Sequence, residues 1–184
     1  TDRSDDALAS SSSRGPTRTP ARKKPDLAAP GCRINAPNYN WEEGPDFVEK
    51  WGTSMAAPHV AGAATLLHDV GVDDPRAVKA VLINTTDSRS WWTPGMGWGE
   101  VNLGRAFVLR HHWYVDNVSP DGHLGSYRLY RVPVALPYDK ATLVWNRRVN
   151  WNGASYPSTY YDPPDLDLHL YREADGVEAM PSTN

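Results

Sequence analysis

Ser54 is the residue of this chain best placed to do chemistry. It lies in the run Gly52-Thr53-Ser54-Met55-Ala56-Ala57-Pro58-His59-Val60-Ala61-Gly62. Thr53 is a favoured N-cap, which makes Ser54 the first helical residue. A helix start offers unpaired N–H groups and positive potential. A serine there can attack a carbonyl while its own N–H faces the oxyanion that forms. Gly52 lets the backbone come close to a substrate. Such a serine needs a base, since its hydroxyl is a weak nucleophile at neutral pH. The chain has six histidines, His59, His68, His111, His112, His123 and His169. His59 is five positions on, about 500° of helical rotation, and so points about 140° away from Ser54. His68 is fourteen positions on, about 21 Å along the axis. Neither reaches the hydroxyl, and His111, His112, His123 and His169 are expected to lie beyond the part of the fold that holds the serine, so the expectation is a nucleophile without its base.

The element that carries Ser54 is a thin helix. Ala56, Ala57, Ala61, Gly62, Ala63 and Ala64 line it, and Leu66, Leu67 and Val70 extend it. A helix this apolar is expected to be buried among close neighbours. Pro58 weakens it, because it cannot donate to the Ser54 carbonyl. By composition alone the plainer account is a core helix whose serine caps the end. A second helix is expected from Asp73-Asp74-Pro75, with Asp74 as cap and Pro75 first. Its apolar stripe is Ala77, Val78, Val81 and Leu82.

The run from Gly52 to Gly62 resembles the nucleophile segment of subtilisin-like serine peptidases, the subtilases. Ser12-Ser13-Arg14-Gly15-Pro16-Thr17 and Lys24-Pro25-Asp26-Leu27-Ala28-Ala29-Pro30-Gly31 resemble the segments that precede it. Gly97-Trp98-Gly99-Glu100-Val101-Asn102-Leu103 resembles the closing hairpin of such domains, with a last helix near Gly104 to Leu109. The first two dozen residues read as a Ser- and Pro-rich linker by composition; the resemblance implies ordered loop and strand. It also implies a serine endopeptidase that works through an acyl-enzyme on Ser54. Subtilases read in chain order Asp, His, oxyanion Asn, Ser, and subtilisin is the standard example of that order. No histidine precedes Ser54, and no Asp-Thr-Gly or His-Gly-Thr run occurs. The chain begins at Thr1, and the expectation is a fragment that lacks the Asp, His and Asn and is inert alone. The resemblance further implies that Lys50, four positions before the nucleophile, contacts the residue after the scissile bond, with Trp51 as fallback. Thr53 joins it as a substrate-side residue. Two other readings stand: a sedolisin, which shares the Gly-Thr-Ser run, and a non-catalytic pseudopeptidase used as a binding scaffold. The Pro-His-Val-Ala-Gly continuation favours the subtilase over the sedolisin, and the intact Gly-Thr-Ser-Met speaks against the scaffold.

After about Val115 the pattern turns from helical to period two. Tyr127 to Leu136, Lys140 to Arg148 and Asp165 to Tyr171 read as short strands. Lys140-Ala141-Thr142-Leu143-Val144-Trp145-Asn146 and Asp165-Leu166-Asp167-Leu168 resemble a sandwich domain appended to some secreted subtilases. The expected fold is therefore α/β: the C-terminal portion of a subtilisin-like parallel-sheet domain over residues 1–113, then a partial all-β, jelly-roll-like sandwich over 114–184. Asp165 and Asp167 lie about 6.6 Å apart on one strand face. They are candidate ligands for a structural calcium; with no third ligand identifiable, a solvated face is the plainer account. No other metal and no cofactor is expected.

The 184 residues carry a net charge of −3, and Arg22-Lys23-Lys24 and Arg147-Arg148 are short. Nucleic acid is not an expected partner. No apolar stretch approaches a membrane span, so a membrane is not expected either. The expected partner is a protein or peptide substrate. The resemblance implies a secreted, extracellular protein, although no signal peptide is visible. Cys32 is the single cysteine, so no intrachain disulfide forms; it reads as a small buried residue just past a strand. Among eight tryptophans, Trp91, Trp92, Trp98, Trp113, Trp145 and Trp151 are expected to pack loops and the domain junction.

Overall fold

The computed structural model describes residues 7–18, 22–87, 91–116, 129–131, 140–146, 149–150, 159–160, 166 and 168–180. The chain divides into two compact units, Thr1–Trp113 and Tyr114–Asn184.

In the first unit a β-hairpin leads into the nucleophile-bearing helix. Strand β1 (Ile34–Pro37) pairs antiparallel with β2 (Phe47–Lys50), with Ile34 opposite Lys50 and Pro37 opposite Phe47. Helix α1 (Thr53–Asp69) follows two residues later. Helix α2 (Pro75–Asn84) starts where the sequence places it: Asp74 is the cap, its side chain accepting from the N–H groups of Arg76 and Ala77, and Pro75 is the first helical residue. Its buried residues are Ala77, Val81, Leu82 and Ile83. Helix α3 (Leu103–Val108) is capped by the Asn102 side chain, which accepts from Arg105 N–H at 2.8 Å. It begins one residue before the expected Gly104 because Asn102 is the better cap.

The core joins the three helices. Ala63 and Leu67 of α1, Val72, Ala77, Val81 and Leu82 of the α2 region and Ala106 of α3 form one buried cluster, with Val60, Val78, Leu103 and Trp113 packed against it. Helix α1 buries only Ala63 and Leu67. Ala57, Ala61, Gly62 and Leu66 are exposed, which corrects the expectation of a helix buried all round. One stripe of α1 meets α2 and α3; among the described residues nothing covers the opposite face.

The segment before the hairpin is tied to the segment before α3. Ala28 forms an isolated parallel bridge to Glu100, with Ala28 N–H donating to Gly99 O and Val101 N–H donating to Ala28 O, both 2.9 Å. Trp98 N–H reaches Asp26 O at 2.9 Å, and Trp92 Nε1 donates to Pro25 O at 3.0 Å. Upstream, Gly15 N–H donates to Pro94 O at 2.8 Å. The residues around Gly15 are therefore docked loop, as the resemblance implies and their composition does not. The expected closing hairpin is a chain of tight turns with isolated bridges, Thr93 to Gly97 and Asp87 to Glu100. Among the described residues that one bridge is the only parallel pairing, and every strand ladder is antiparallel.

Two sequence expectations in this unit need correction. Cys32 is half-buried and precedes β1 instead of following a strand. Trp91 is 66% exposed, against the expectation that it packs loops.

In the second unit the described strands form two antiparallel pairs. Strand β3 (Val149–Asn150) pairs with β4 (Thr159–Tyr160), and β5 (Leu170–Tyr171) with β6 (Glu178–Met180). Residues 140–146 are not strand, against the expectation. Their Leu143 and Trp145 remain 40% and 41% exposed, so their alternating pattern meets no sheet to bury it. Of the described residues in the expected strand at Asp165 to Tyr171, Leu170–Tyr171 are strand; Asp165 and Asp167 lie outside the described residues. Trp151 and most of Tyr127 to Leu136 also lie outside them. No sandwich is evident among the described strands.

Candidate active site at the start of helix α1

The geometry around Ser54 is set by two glycines. Gly52, not Thr53, is the N-cap of α1, with φ 141° and ψ 165°. That conformation is open only to glycine, so the backbone turns here at low cost and the helix starts one residue earlier than a threonine cap would place it. The Gly52 carbonyl accepts from Met55 N–H at 3.0 Å and Ala56 N–H at 3.4 Å. Its own N–H donates to Gly31 O at 2.8 Å. Gly31 must stay bare as well. A Cβ there would lie 2.8 Å from Gly52 O and 3.2 Å from the Ala56 Cβ. The chain 24–31, clamped to residues 92–101, thereby anchors the turn that presents Ser54. Gly31 had no signal in the sequence beyond its family-like run, because its role is a contact with backbone twenty-one residues away.

Ser54 is exposed on the first turn. Among the described residues, the N–H groups of Thr53 and Ser54 take no acceptor, and nothing hydrogen-bonds the Ser54 hydroxyl. These free donors, at the positive end of a 17-residue helix, are a ready site for negative charge. A hydroxyl beside them can attack a carbonyl and have the oxyanion stabilised at its own backbone. Among the described residues, no hydrogen bond joins the Ser54 hydroxyl to a general base. The His59 ring is half-buried, and its Nδ1 lies 2.8 Å from Met55 O, so it is committed to the helix backbone. His68 faces Asp73 at 3.8 Å, near the other end of α1.

The other proposed site residues sit on either side of the turn. Thr53 is the first residue of α1 and exposed; Lys50 ends β2, exposed and in register with Ile34. Trp51 is 62% exposed between them. Among the described residues, no group of three or more His, Cys, Asp and Glu gathers as a metal site. No helix described is long and apolar enough to cross a membrane.

The strongest electrostatic feature lies elsewhere, at the start of α2. Arg76 Nε and NH2 both reach the Asp74 carboxylate, at 3.0 and 2.6 Å. That bond, with the helix N–H groups, holds the Asp74 carboxyl at about 2, below its ordinary 3.8. Two buried threonines close α2: Thr85 Oγ1 donates to Val81 O at 2.8 Å, and Thr86 Oγ1 reaches Trp98 O at 2.7 Å. Sequence reasoning named neither the fork nor the threonine link.

Residues 1–107 match the model of the subtilase family. The chain belongs to the subtilase family. Similar proteins include the subtilisin-like protease SBT3.9 of Arabidopsis thaliana, 41% identical over 95 residues, which covers 49% of this chain and 12% of that protein. The serine protease AprX of Bacillus subtilis (strain 168) is 39% identical over 110 residues, 53% of this chain and 25% of AprX. Among solved structures, that of the Clostridium perfringens CspB protease matches with 35% identity and a TM-score of 0.48, over 56% of this chain and 23% of that one. The chain thus spans a quarter or less of the length of each of these relatives. The family match stops at residue 107, so the second unit has no assignment from it.

Proposed function

We propose that Ser54 is the nucleophile of a subtilisin-like serine endopeptidase and that this chain carries the serine-bearing part of its catalytic domain. The observation that supports this most is the exposed Ser54 hydroxyl beside two acceptor-free N–H groups, within a segment matched by the subtilase family model. In this reading the Ser54 oxygen attacks the scissile carbonyl, its proton passes to a histidine base, and the tetrahedral oxyanion rests on the Ser54 N–H. The histidine returns that proton to the leaving nitrogen, and collapse expels the amine and leaves an acyl-Ser54 ester, which water hydrolyses. On this reading the base, the acid that orients it and the oxyanion amide come from outside the 184 residues, which by themselves are expected to be inert.

Substrates are proteins or peptides on this reading, as the family name implies. Lys50 and Thr53 are the substrate-side residues of this reading, with Lys50, four positions before Ser54, on the side of the leaving amine. Export from the cell belongs to the same proposal and rests on family resemblance alone.

The test uses a subtilase-length chain that carries this segment together with the Asp, His and Asn positions. There Ser54→Ala abolishes peptide hydrolysis and labelling by a fluorophosphonate. Near-normal hydrolysis by the variant would mean that another group is the nucleophile. A parent chain that binds peptide but never labels would point to the pseudopeptidase scaffold.

A further inference from the structure

We infer that His59 is a positioning residue for Ser54, adding through its ring a second hydrogen bond to a turn that Pro58 leaves one backbone bond short. Pro58 lies inside α1 and has no N–H, so the Ser54 carbonyl loses its usual donor four residues on. The turn that carries Ser54 is then tied to the rest of the helix by one backbone bond fewer than its neighbours. The next residue supplies an extra one. His59 Nδ1 stands 2.8 Å from the Met55 carbonyl oxygen, and its ring is half-buried. A carbonyl oxygen only accepts, so Nδ1 carries the proton, and neutral His59 is the Nδ1–H tautomer. The bond spans the first turn, from the residue after Pro58 to the residue after Ser54.

The alternatives weaken on the same geometry. As a base for Ser54, His59 would need a free ring nitrogen aimed at the hydroxyl, and one nitrogen is committed to backbone. As a core histidine it would contact apolar neighbours, and it is absent from the buried cluster. The consequence for catalysis rests on the reading of Ser54 as nucleophile; the bond and its effect on the turn do not.

The experiment runs on the subtilase-length chain used to test Ser54, since the 184 residues alone are expected to melt broadly. Long-range nitrogen–proton NMR of the imidazoles reads the tautomer, and amide hydrogen exchange reads the turn. His59 is expected as Nδ1–H. In His59→Ala the Met55, Ala56 and Ala57 amides should exchange about three- to tenfold faster, the worth of one intramolecular hydrogen bond, while Leu67 and Val72 keep their rates. His59→Asn, whose amide nitrogen can stand near Nδ1, should restore protection; His59→Gln, which mimics the far nitrogen, should not. An Nε2–H tautomer would overturn the inference. So would unchanged exchange in His59→Ala, or an equal loss along all of α1, which would mark a merely structural residue. Ser54→Ala should leave these exchange rates alone, so the inference and the nucleophile assignment fail separately.

Discussion

At Ser54 the backbone does as much as the side chain. The hydroxyl is useful because Gly52 turns at φ 141° and delivers it to the first turn of α1 with free N–H groups beside it. Any side chain at position 52 would be strained there. Gly52→Ala is expected to cost about 1–3 kcal/mol, the range for a non-glycine residue held in that region. Chemical denaturation with α1 helicity as the signal would show it, and an unchanged midpoint would mean that the turn relaxes freely. Lys50 is the residue whose charge should matter most to substrate choice. It is exposed at the end of β2, four positions before Ser54. In an active subtilase-length form, Lys50→Glu should move preference just after the scissile bond from acidic towards basic residues. A peptide library cleaved with the same profile by both proteins would remove Lys50 from the specificity site.

Each helix shows a different balance between local signal and context. Helix α2 was legible from sequence because its start is written in adjacent residues: Asp74 caps, Pro75 fits the first position, and the stripe at Ala77, Val81 and Leu82 has helical spacing. Helix α1 was legible as a helix but not in its burial, since nothing local says which stripe meets a neighbour. The Asp74 cap makes a pH prediction. Its carboxyl titrates at about 2 in the folded chain against an ordinary 3.8. A depressed carboxyl contributes stability above the ordinary value and loses it as pH falls through the folded one. The contribution of Asp74 should therefore be complete above about pH 4 and gone near pH 2. Asp74→Asn can still cap but does not titrate. Circular dichroism of the two proteins between pH 5 and pH 2 should show an acid-induced loss of helicity that is smaller in Asp74→Asn. Parallel curves would mean that the Arg76 fork has no energetic weight.

At the scale of the molecule, the core formed by the described residues is small. Among the described residues the buried hydrophobic set is Ala29, Ala63, Leu67, Val72, Ala77, Val81, Leu82, Ile83, Met96 and Ala106, and four of these ten are alanines. Against it stand exposed apolar side chains such as Leu66 at 53% and Val108 at 71%. So little buried area offsets poorly a conformational entropy cost of roughly 1–2 kcal/mol per ordered residue. The 184-residue chain alone is expected to melt over a broad range and to bind an apolar dye before heating. A single sharp transition from a dye-free monomer would show that this core suffices. The sequence by itself determined what neighbours along the chain can decide: the serine at a helix start, the cap of α2, the helical stripe, and the family to which residues 1–107 belong. Only the tertiary structure decided that Gly31 holds Gly52, that Ala28 pairs beside Glu100, that the described residues leave one face of α1 uncovered, and that residues 140–146 are not strand. Caps and periodicity act over a few residues, and their energies are local. Backbone pairs between distant segments depend on which chain arrives alongside, and one residue's type carries no record of that.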